Sequence, residues 1–348
     1  MKHYFSQTRA STVAGLLLSG LSFIWQPAYF WNQSMNPFFP AQAYAQDNES
    51  SAASVLSVAA ALVKAEDFLG ENRNWHFPQS AALFAEAFPM LRTDLPQAAP
   101  YLNAAAQRGG VDQINRFLQE KNFSVTLAPV DDPQGIACAA VVDLKVEWQT
   151  PGTKQMLFLP QADKWVSGVH LAQLKAVYRA AGHEHLIAEL TVKGDAKFFI
   201  TRCDSSGSGH RSLASAFLAA KLAQVRRVEG AAQFPGGIIF PAADLRDSTA
   251  LSWLIGARTT DSMGQPAIIV QALSQVRFSL NEIGARGQAA AAASMVTATG
   301  EEDVPQQLVI DGPYLAWFEL PGAKLDRSIV TFAAHVNVDK MTPPDSLD

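Results

Sequence analysis

The sequence from Glu282 to Gly300 reads EIGARGQAAAAASMVTATG, and this stretch carries most of what the chain indicates about its fold. A strand points alternate side chains to opposite faces of a sheet. One alternate set is uniformly tiny, and it comprises Ala285, Gly287, Ala289, Ala291 and Ala293. The other set begins with Arg286 and Gln288, which tolerate water. The segment therefore suits both an exposed loop and the interior of a packed sheet, as a conformational switch requires.

The same composition has two simpler interpretations, a helical turn and a low-complexity linker, because alanine has the highest helix propensity. The flanking sequence favours neither of them. Residues 301–305 have loop composition, while residues 267–280 and 308–333 contain apolar runs typical of strands. An alanine-rich loop between strands, entered through Gly284, is therefore predicted. Gly284 and Gly287 are expected to let its backbone hinge.

Length and composition describe a globular protein. The chain has 348 residues, of which 48% are hydrophobic and 17% charged, so it can bury a large core. The net charge of −5 gives no reason to expect a nucleic-acid partner.

Residues 1–45 differ from the rest of the chain. Lys2 and Arg9 precede an apolar run, and Ala43-Tyr44-Ala45 offers a small-residue cleavage site, which together resemble a signal peptide. The alternative is an uncleaved anchor, but the apolar run is short for a stable membrane span. We therefore expect an exported protein, periplasmic or secreted, in which residues 46–348 form a single domain.

Other candidate sites are weaker. Cys138 and Cys203 could pair or could be buried free thiols, and the sequence leaves both alternatives open. The run His183-Glu184-His185 lacks an evident third metal ligand, so a solvated turn is favoured. Residues 205–210 lack the frame of a nucleophile elbow, so a loop is favoured there. No metal and no cofactor is expected.

Hydrophobic periodicity predicts a mixed α+β domain, with helices ahead of and between antiparallel strands. The predicted helices are 55–68, 79–91, 111–120, 212–225 and a short one at 248–254. The predicted strands are 137–148, 156–159, 176–178, 186–192, 196–200, 238–241, 267–280, 308–310, 314–318 and 329–333.

Six motifs in order resemble the serpin (serine protease inhibitor) superfamily, and the chain is similar to a divergent, bacterial-type member. They are Ser54–Val58, Ile114–Phe117, Lys145–Pro151, Ile238–Gly256, Glu282–Ala293, and Pro313–Leu315 with Val336-Asn337. The resemblance implies a large mixed, mainly antiparallel central sheet with smaller sheets, surrounding helices and an exposed reactive loop at about 283–307. The N-terminal helical layer is expected to be reduced.

The resemblance also implies a function, that of a protease inhibitor and not an enzyme. A serine protease cuts the exposed loop and is held as an acyl-enzyme while the hinge inserts as a new strand. The hinge residues carried over are Glu282, Gly284, Ala285, Gly287, Ala289, Ala290 and Ala291. The cleaved bond falls at Ala298–Thr299, with Met295–Val296 as the alternative.

The loop also suggests a target. It has no Arg or Lys beyond Arg286, which favours an elastase-like or chymotrypsin-like protease over a trypsin-like one. The inhibitor is expected to act as a monomer.

Three positions depart from the family pattern. Ala140 replaces an asparagine, Asp143 an aromatic residue and Ser274 a histidine. In the family, that asparagine and histidine, with a serine like Ser57, form a hydrogen-bonded gate through which the sheet opens. The departures predict either an inhibitor with a different latch or a non-inhibitory, serpin-like binding or carrier protein. An unrelated periplasmic enzyme is a third hypothesis, for which the sequence offers no convincing set of catalytic residues.

Overall fold

The computed structural model describes residues 51–129, 135–203, 211–228, 233–286, 306–322 and 328–338. Its α-helices are α1 (Val55–Leu69), α2 (Ala82–Ala98), α3 (Asp112–Glu120) and α4 (Arg211–Val225). Ser54 caps α1, because its hydroxyl oxygen accepts a hydrogen bond from the Ser57 amide at 3.2 Å. Helix α2 continues past its predicted end at Leu91, since its buried stripe extends to Ala98. No described helix is long and apolar enough to cross a membrane.

Strands make up most of the remainder. In chain order they are β1 (Ser51–Ala53), β2 (Leu102–Arg108), β3 (Ile136–Val142), β4 (Lys145–Glu147), β5 (Thr153–Leu159), β6 (Lys164–Leu171), β7 (Leu174–Ala180), β8 (Ile187–Leu190), β9 (Lys197–Arg202), β10 (Arg226–Val228), β11 (Ile238–Pro241), β12 (Ala243–Ala250), β13 (Arg258–Thr260), β14 (Pro266–Ile268), β15 (Leu273–Leu280), β16 (Gly284–Arg286), β17 (Leu308–Val309), β18 (Tyr314–Pro321) and β19 (Ser328–Val336).

These strands form three larger sheets and two two-stranded sheets. The largest has the order β1-β19-β18-β9-β8-β7-β10, the second β12-β15-β16-β4 and the third β17-β11-β6-β5. The two-stranded sheets are β13-β14, a hairpin, and β2-β3, whose strands are connected through α3. Every pairing of described strands is antiparallel except β11 with β17. The predicted α+β class with mainly antiparallel sheets is confirmed.

Aromatic packing joins the β12-β15-β16-β4 sheet to the seven-stranded sheet. Phe278 of β15 stacks on Phe332 at 5.7 Å between ring centroids and meets Phe318 edge-on at 6.5 Å. All three rings are buried. Such pairs contribute about 0.5–1.5 kcal/mol each beyond their buried area. The core face of β15 is therefore fixed, which also fixes which of its side chains face the opposite side.

One predicted helix was wrong, and several strands, β2 among them, were not predicted. Residues 248–254 are not a helix: Ala250 ends strand β12, and only a 3-10 turn at Ser252–Leu254 follows. Strand β2 was not predicted, because its central Ala104–Ala106 run favours a helix. In both places an antiparallel partner, β15 or β3 respectively, overrides the local preference.

Candidate functional site: the hinge strand

The chain reverses direction between β15 and β16 in a turn built by Asn281. The Asn281 side-chain oxygen accepts hydrogen bonds from the amides of Ile283 at 2.9 Å and Gly284 at 3.2 Å. The Asn281 amide donates to the Gly284 carbonyl at 3.0 Å. Asparagine favours such turns because its side chain mimics a backbone acceptor. This turn directs the residues after Gly284 back along β15.

The turn is anchored to the segment after β4. Trp148 donates its indole N–H to the Asn281 carbonyl at 2.8 Å and its amide to the Ile283 carbonyl at 3.0 Å. The Gly152 amide donates to the Glu282 carbonyl at 2.7 Å. The Glu282 carboxylate also pairs with Lys154 at 3.4 Å. Contacts from residues 148–154 therefore hold the turn in one position.

Trp148 is itself held rigidly. Its side chain is 1% exposed, and it packs edge-on against Phe198 at 5.5 Å and Phe240 at 6.4 Å between ring centroids. Buried tryptophan normally finds a partner for its indole N–H, and here that partner is the turn. In the sequence Trp148 stands out only as part of the Lys145–Pro151 motif, so its role as an anchor was missed.

Strand β16 lies between two strands that are far apart in sequence. Gly284, Ala285 and Arg286 pair with Glu147, Val146 and Lys145 of β4 on one side. On the other side, Ala285 pairs with Leu280 and Arg286 with Ser279 of β15. The strand is antiparallel to both neighbours. The first residues of the predicted loop are therefore already part of a sheet.

Gly284 is required by a close approach of two backbones. A Cβ atom added to Gly284 would lie 2.0 Å from the Val146 carbonyl oxygen, a distance that no side chain can occupy. The Gly284 backbone does not have a positive φ. In this conformation the glycine supplies space next to β4, and its expected role as a hinge stays a prediction.

The side chains of β16 alternate as the sequence predicts. Ala285 is 1% exposed and faces the core. Arg286 faces the other way and is half-buried, with its guanidinium 3.3 Å from the Asp143 carboxylate. Because both side chains are more than a third exposed, such a pair contributes little, about 0–1 kcal/mol. Arg286 is thus compatible with the strand but does not hold it in place.

The remaining residues carried over from the resemblance lie outside the described part of the chain. They are Gly287, Ala289, Ala290 and Ala291 of the hinge, and Met295, Val296, Ala298 and Thr299 of the cleaved bond. The proposed signal segment at residues 1–45 and the loop at residues 205–210 also fall outside it.

The residues of the family gate do not form one here. The Ser57 hydroxyl donates locally to the Ser54 carbonyl at 2.8 Å. Ala140 lies on β3, and Ser274 lies opposite Thr249 in the pairing of β15 with β12. Within the described ranges, no hydrogen bond joins Ser57, Ala140 and Ser274. The substitutions at Ala140 and Ser274 therefore coincide with the absence of the gate's hydrogen bonds among the described residues.

The cysteine and histidine candidates lie in the described part of the chain. Cys138 and Cys203 are not joined in a disulfide, and burial raises the pKa of Cys138 to about 12. His183 is 2.8 Å from the Thr201 hydroxyl through Nε2. Burial, then the neighbouring His185, lowers the pKa of His183. Among the described residues, no group of three or more His, Cys, Asp or Glu side chains could hold a metal ion.

Comparison with known proteins now identifies the fold. No protein-family model matches the sequence, and no curated protein matches it either. A loop-inserted structure of a cleaved ovalbumin mutant is 13% identical, covering 84% of this chain and 94% of its own, with a TM-score of 0.51. Human glycosylated kallistatin is 11% identical, covering 87% and 94% respectively, with a TM-score of 0.50. Both are serpins, and the chain has the serpin fold.

The close approach at Gly284 makes a specific prediction about stability. Gly284→Ala must push β16 away from β4, so we expect it to lower the free energy of unfolding by about 1–3 kcal/mol, the range for overpacking a tight site. Gly110→Ala is the control, because its added Cβ meets only the flexible Gln107 side chain, at 3.2 Å. Urea denaturation followed by tryptophan fluorescence measures both. Equal, small effects of the two substitutions would contradict the proposed packing.

Proposed function

We propose that this protein inhibits a serine protease as a suicide substrate, by cleavage of its loop and insertion of the cleaved end into the β12-β15-β16-β4 sheet. One observation carries the proposal: Gly284–Arg286 already lies between β15 and β4, antiparallel to both. The small-residue set that follows can continue the same strand without adding volume to the core.

The neighbouring strands offer room for that continuation. Among the described strands, β3 pairs only with β2, and β15 pairs with β16 only through Ser279 and Leu280. The backbone of β15 from Leu273 to Phe278 can therefore accept hydrogen bonds from a longer β16. Each added residue would satisfy backbone donors and acceptors, which favours insertion.

The reaction itself belongs to the protease. Its serine attacks the carbonyl carbon of Ala298, or of Met295 at the alternative bond, and the peptide C–N bond breaks. The leaving amine, of Thr299 or Val296, takes the proton from the protease histidine, and the acyl group stays on the serine as an ester. Insertion of the hinge then pulls this ester away from the groups that align the attacking water, so hydrolysis stops.

The loop composition supports a target class. Ala298 and Met295 would fill a small or medium apolar pocket, and the loop carries no basic residue after Arg286. We therefore propose an elastase-like or chymotrypsin-like enzyme as the target. We further propose that residues 1–45 direct export to the periplasm or the exterior, and that the inhibitor acts as a monomer.

A non-inhibitory binding or carrier role is the second candidate. The substitutions Ala140 and Ser274, and the lack of a hydrogen bond joining them to Ser57 within the described residues, favour it. In that case the loop would be cut without trapping the enzyme. The two candidates differ in the fate of the acyl-enzyme, which can be measured directly.

Mixing the purified protein with elastase-like and chymotrypsin-like proteases tests the proposal. We expect a covalent complex that survives denaturing electrophoresis, because deacylation is blocked, and a cleaved form whose melting temperature exceeds that of the intact protein. A protease whose catalytic serine has been replaced is the control and should give no covalent complex. Cleavage without a complex and without a rise in melting temperature would favour the carrier role.

The alternation of the hinge gives a sharper test. Ala289→Glu would place a carboxylate on the core face of the new strand, where the effective cost of burying a charge is several kcal/mol. Gln288→Glu carries the same charge on the opposite face and is the matched control. We expect Ala289→Glu to be cleaved with little trapped enzyme, as scored by electrophoresis, while Gln288→Glu still traps it. Equal trapping by the two variants would contradict insertion in this register.

A further inference from the structure

The outer face of the β12-β15-β16-β4 sheet carries two arginines that face each other. Arg246 of β12 and Arg277 of β15 are directly opposite in the antiparallel register. They lie on the face away from the core, because the next pair along, Leu245 and Phe278, has Phe278 buried among aromatic rings and alternate residues of a strand face opposite ways. Like charges directly opposite each other destabilise a strand pair. The sheet thus places two positive charges where an added negative charge would be stabilising.

Arg277 is held in place but has no acidic partner. Its guanidinium lies 5.5 Å from the centre of the Phe123 ring, within the range of a cation–π contact. Its Nε is buried and has no hydrogen-bond partner, and no ion pair of Arg277 is found among the described residues. A buried donor without an acceptor lowers stability. Because Arg277 as a whole is only half-buried, an anion can reach the outer nitrogens of its guanidinium.

Arg246 has one acidic neighbour, which does not neutralise the pair. Asp244, two residues earlier on β12, lies 3.7 Å from the Arg246 guanidinium. The two side chains are 65% and 56% exposed, and an ion pair so open to water contributes little, because water screens it. The Arg246 guanidinium can therefore turn towards an ion placed between β12 and β15.

The spacing of the two arginines suits one particular kind of ligand. The Cβ atoms of directly opposite residues lie about 4.5–5.5 Å apart, so both guanidinium groups can contact a single ion. Each guanidinium presents a planar fork of N–H donors, which matches two oxygens of a phosphate group. A tetrahedral oxyanion has enough oxygens for both forks, and its negative charge would offset that of the two arginines.

We propose that Arg246 and Arg277 form a binding site for a free tetrahedral oxyanion, phosphate or sulfate, on the outer face of this sheet. Arg277 supplies a fork that Phe123 positions, and Arg246 closes over the ion from β12. The bound ion joins β12 to β15, so it stabilises the native state, in which alone the two arginines are opposite. The site requires no cleavage of the loop and is independent of the proposed inhibition of a protease.

Titration of the intact protein with inorganic phosphate, at constant ionic strength in sodium chloride, tests the site. The wild type should bind a single ion, and sulfate should compete with it. Arg246→Gln should weaken binding by at least about tenfold, the factor for a lost charge-assisted hydrogen bond. Arg277→Lys keeps the charge but loses the fork, so it should weaken binding by a smaller factor. Arg258→Gln removes the same charge from an exposed position on β13. It is the matched control and should bind like the wild type.

Nuclear magnetic resonance of the arginine Nε–H groups gives a readout at the site itself. The Arg277 signal, assigned by its loss in Arg277→Lys, should shift when phosphate is added to the wild type. In Arg246→Gln it should stay in place at the same phosphate concentration.

Three results would overturn the site. The first is no phosphate binding by the wild type, and the second is equal binding by the wild type and Arg246→Gln, which would indicate general screening of surface charge. The third is binding of tripolyphosphate without binding of phosphate, which would indicate a surface for a polyanionic chain. Neither readout involves a protease, so a failure of the site leaves the proposed function intact, and a failure to trap a protease leaves the site intact.

Discussion

The contact between the Gly284 backbone and the Val146 carbonyl is the constraint on which the rest of the site depends. With no side chain at Gly284, β16 can approach β4 closely enough to pair with it. The Asn281 turn then sets the direction of β16, and Trp148 anchors that turn through the Asn281 carbonyl. If any of these three features were absent, β16 would lose its position between β15 and β4.

The two faces of a longer β16 would have different surroundings. On the core face, the proposed insertion would bring the small-residue set against β15 side chains such as Phe278, which aromatic packing holds in place. On the other face, the Gln275 side chain of β15 accepts hydrogen bonds from the amides of Ser124 and Val125.

The sequence predicted the features that depend on local pattern. The alternation of Ala285 and Arg286 and the α+β class both follow from residue type and spacing. It did not predict those that depend on partners distant along the chain. The close approach of Gly284 to Val146 was not predicted because the two residues are far apart in sequence, and the contacts of Gln275 were overlooked because its partners are about 150 positions away. Asn281, just ahead of Gly284, carried a readable turn signal that was missed.

A crystal structure of the protein cleaved within residues 294–300 tests the central claim most directly. Residues 287–293 should form a strand antiparallel to β15, with Ala289 opposite Val276 and facing the core, and Ala290 opposite Gln275. A structure in which β16 still ends at Arg286, with the β15 edge from Leu273 to Phe278 unpaired, would contradict it.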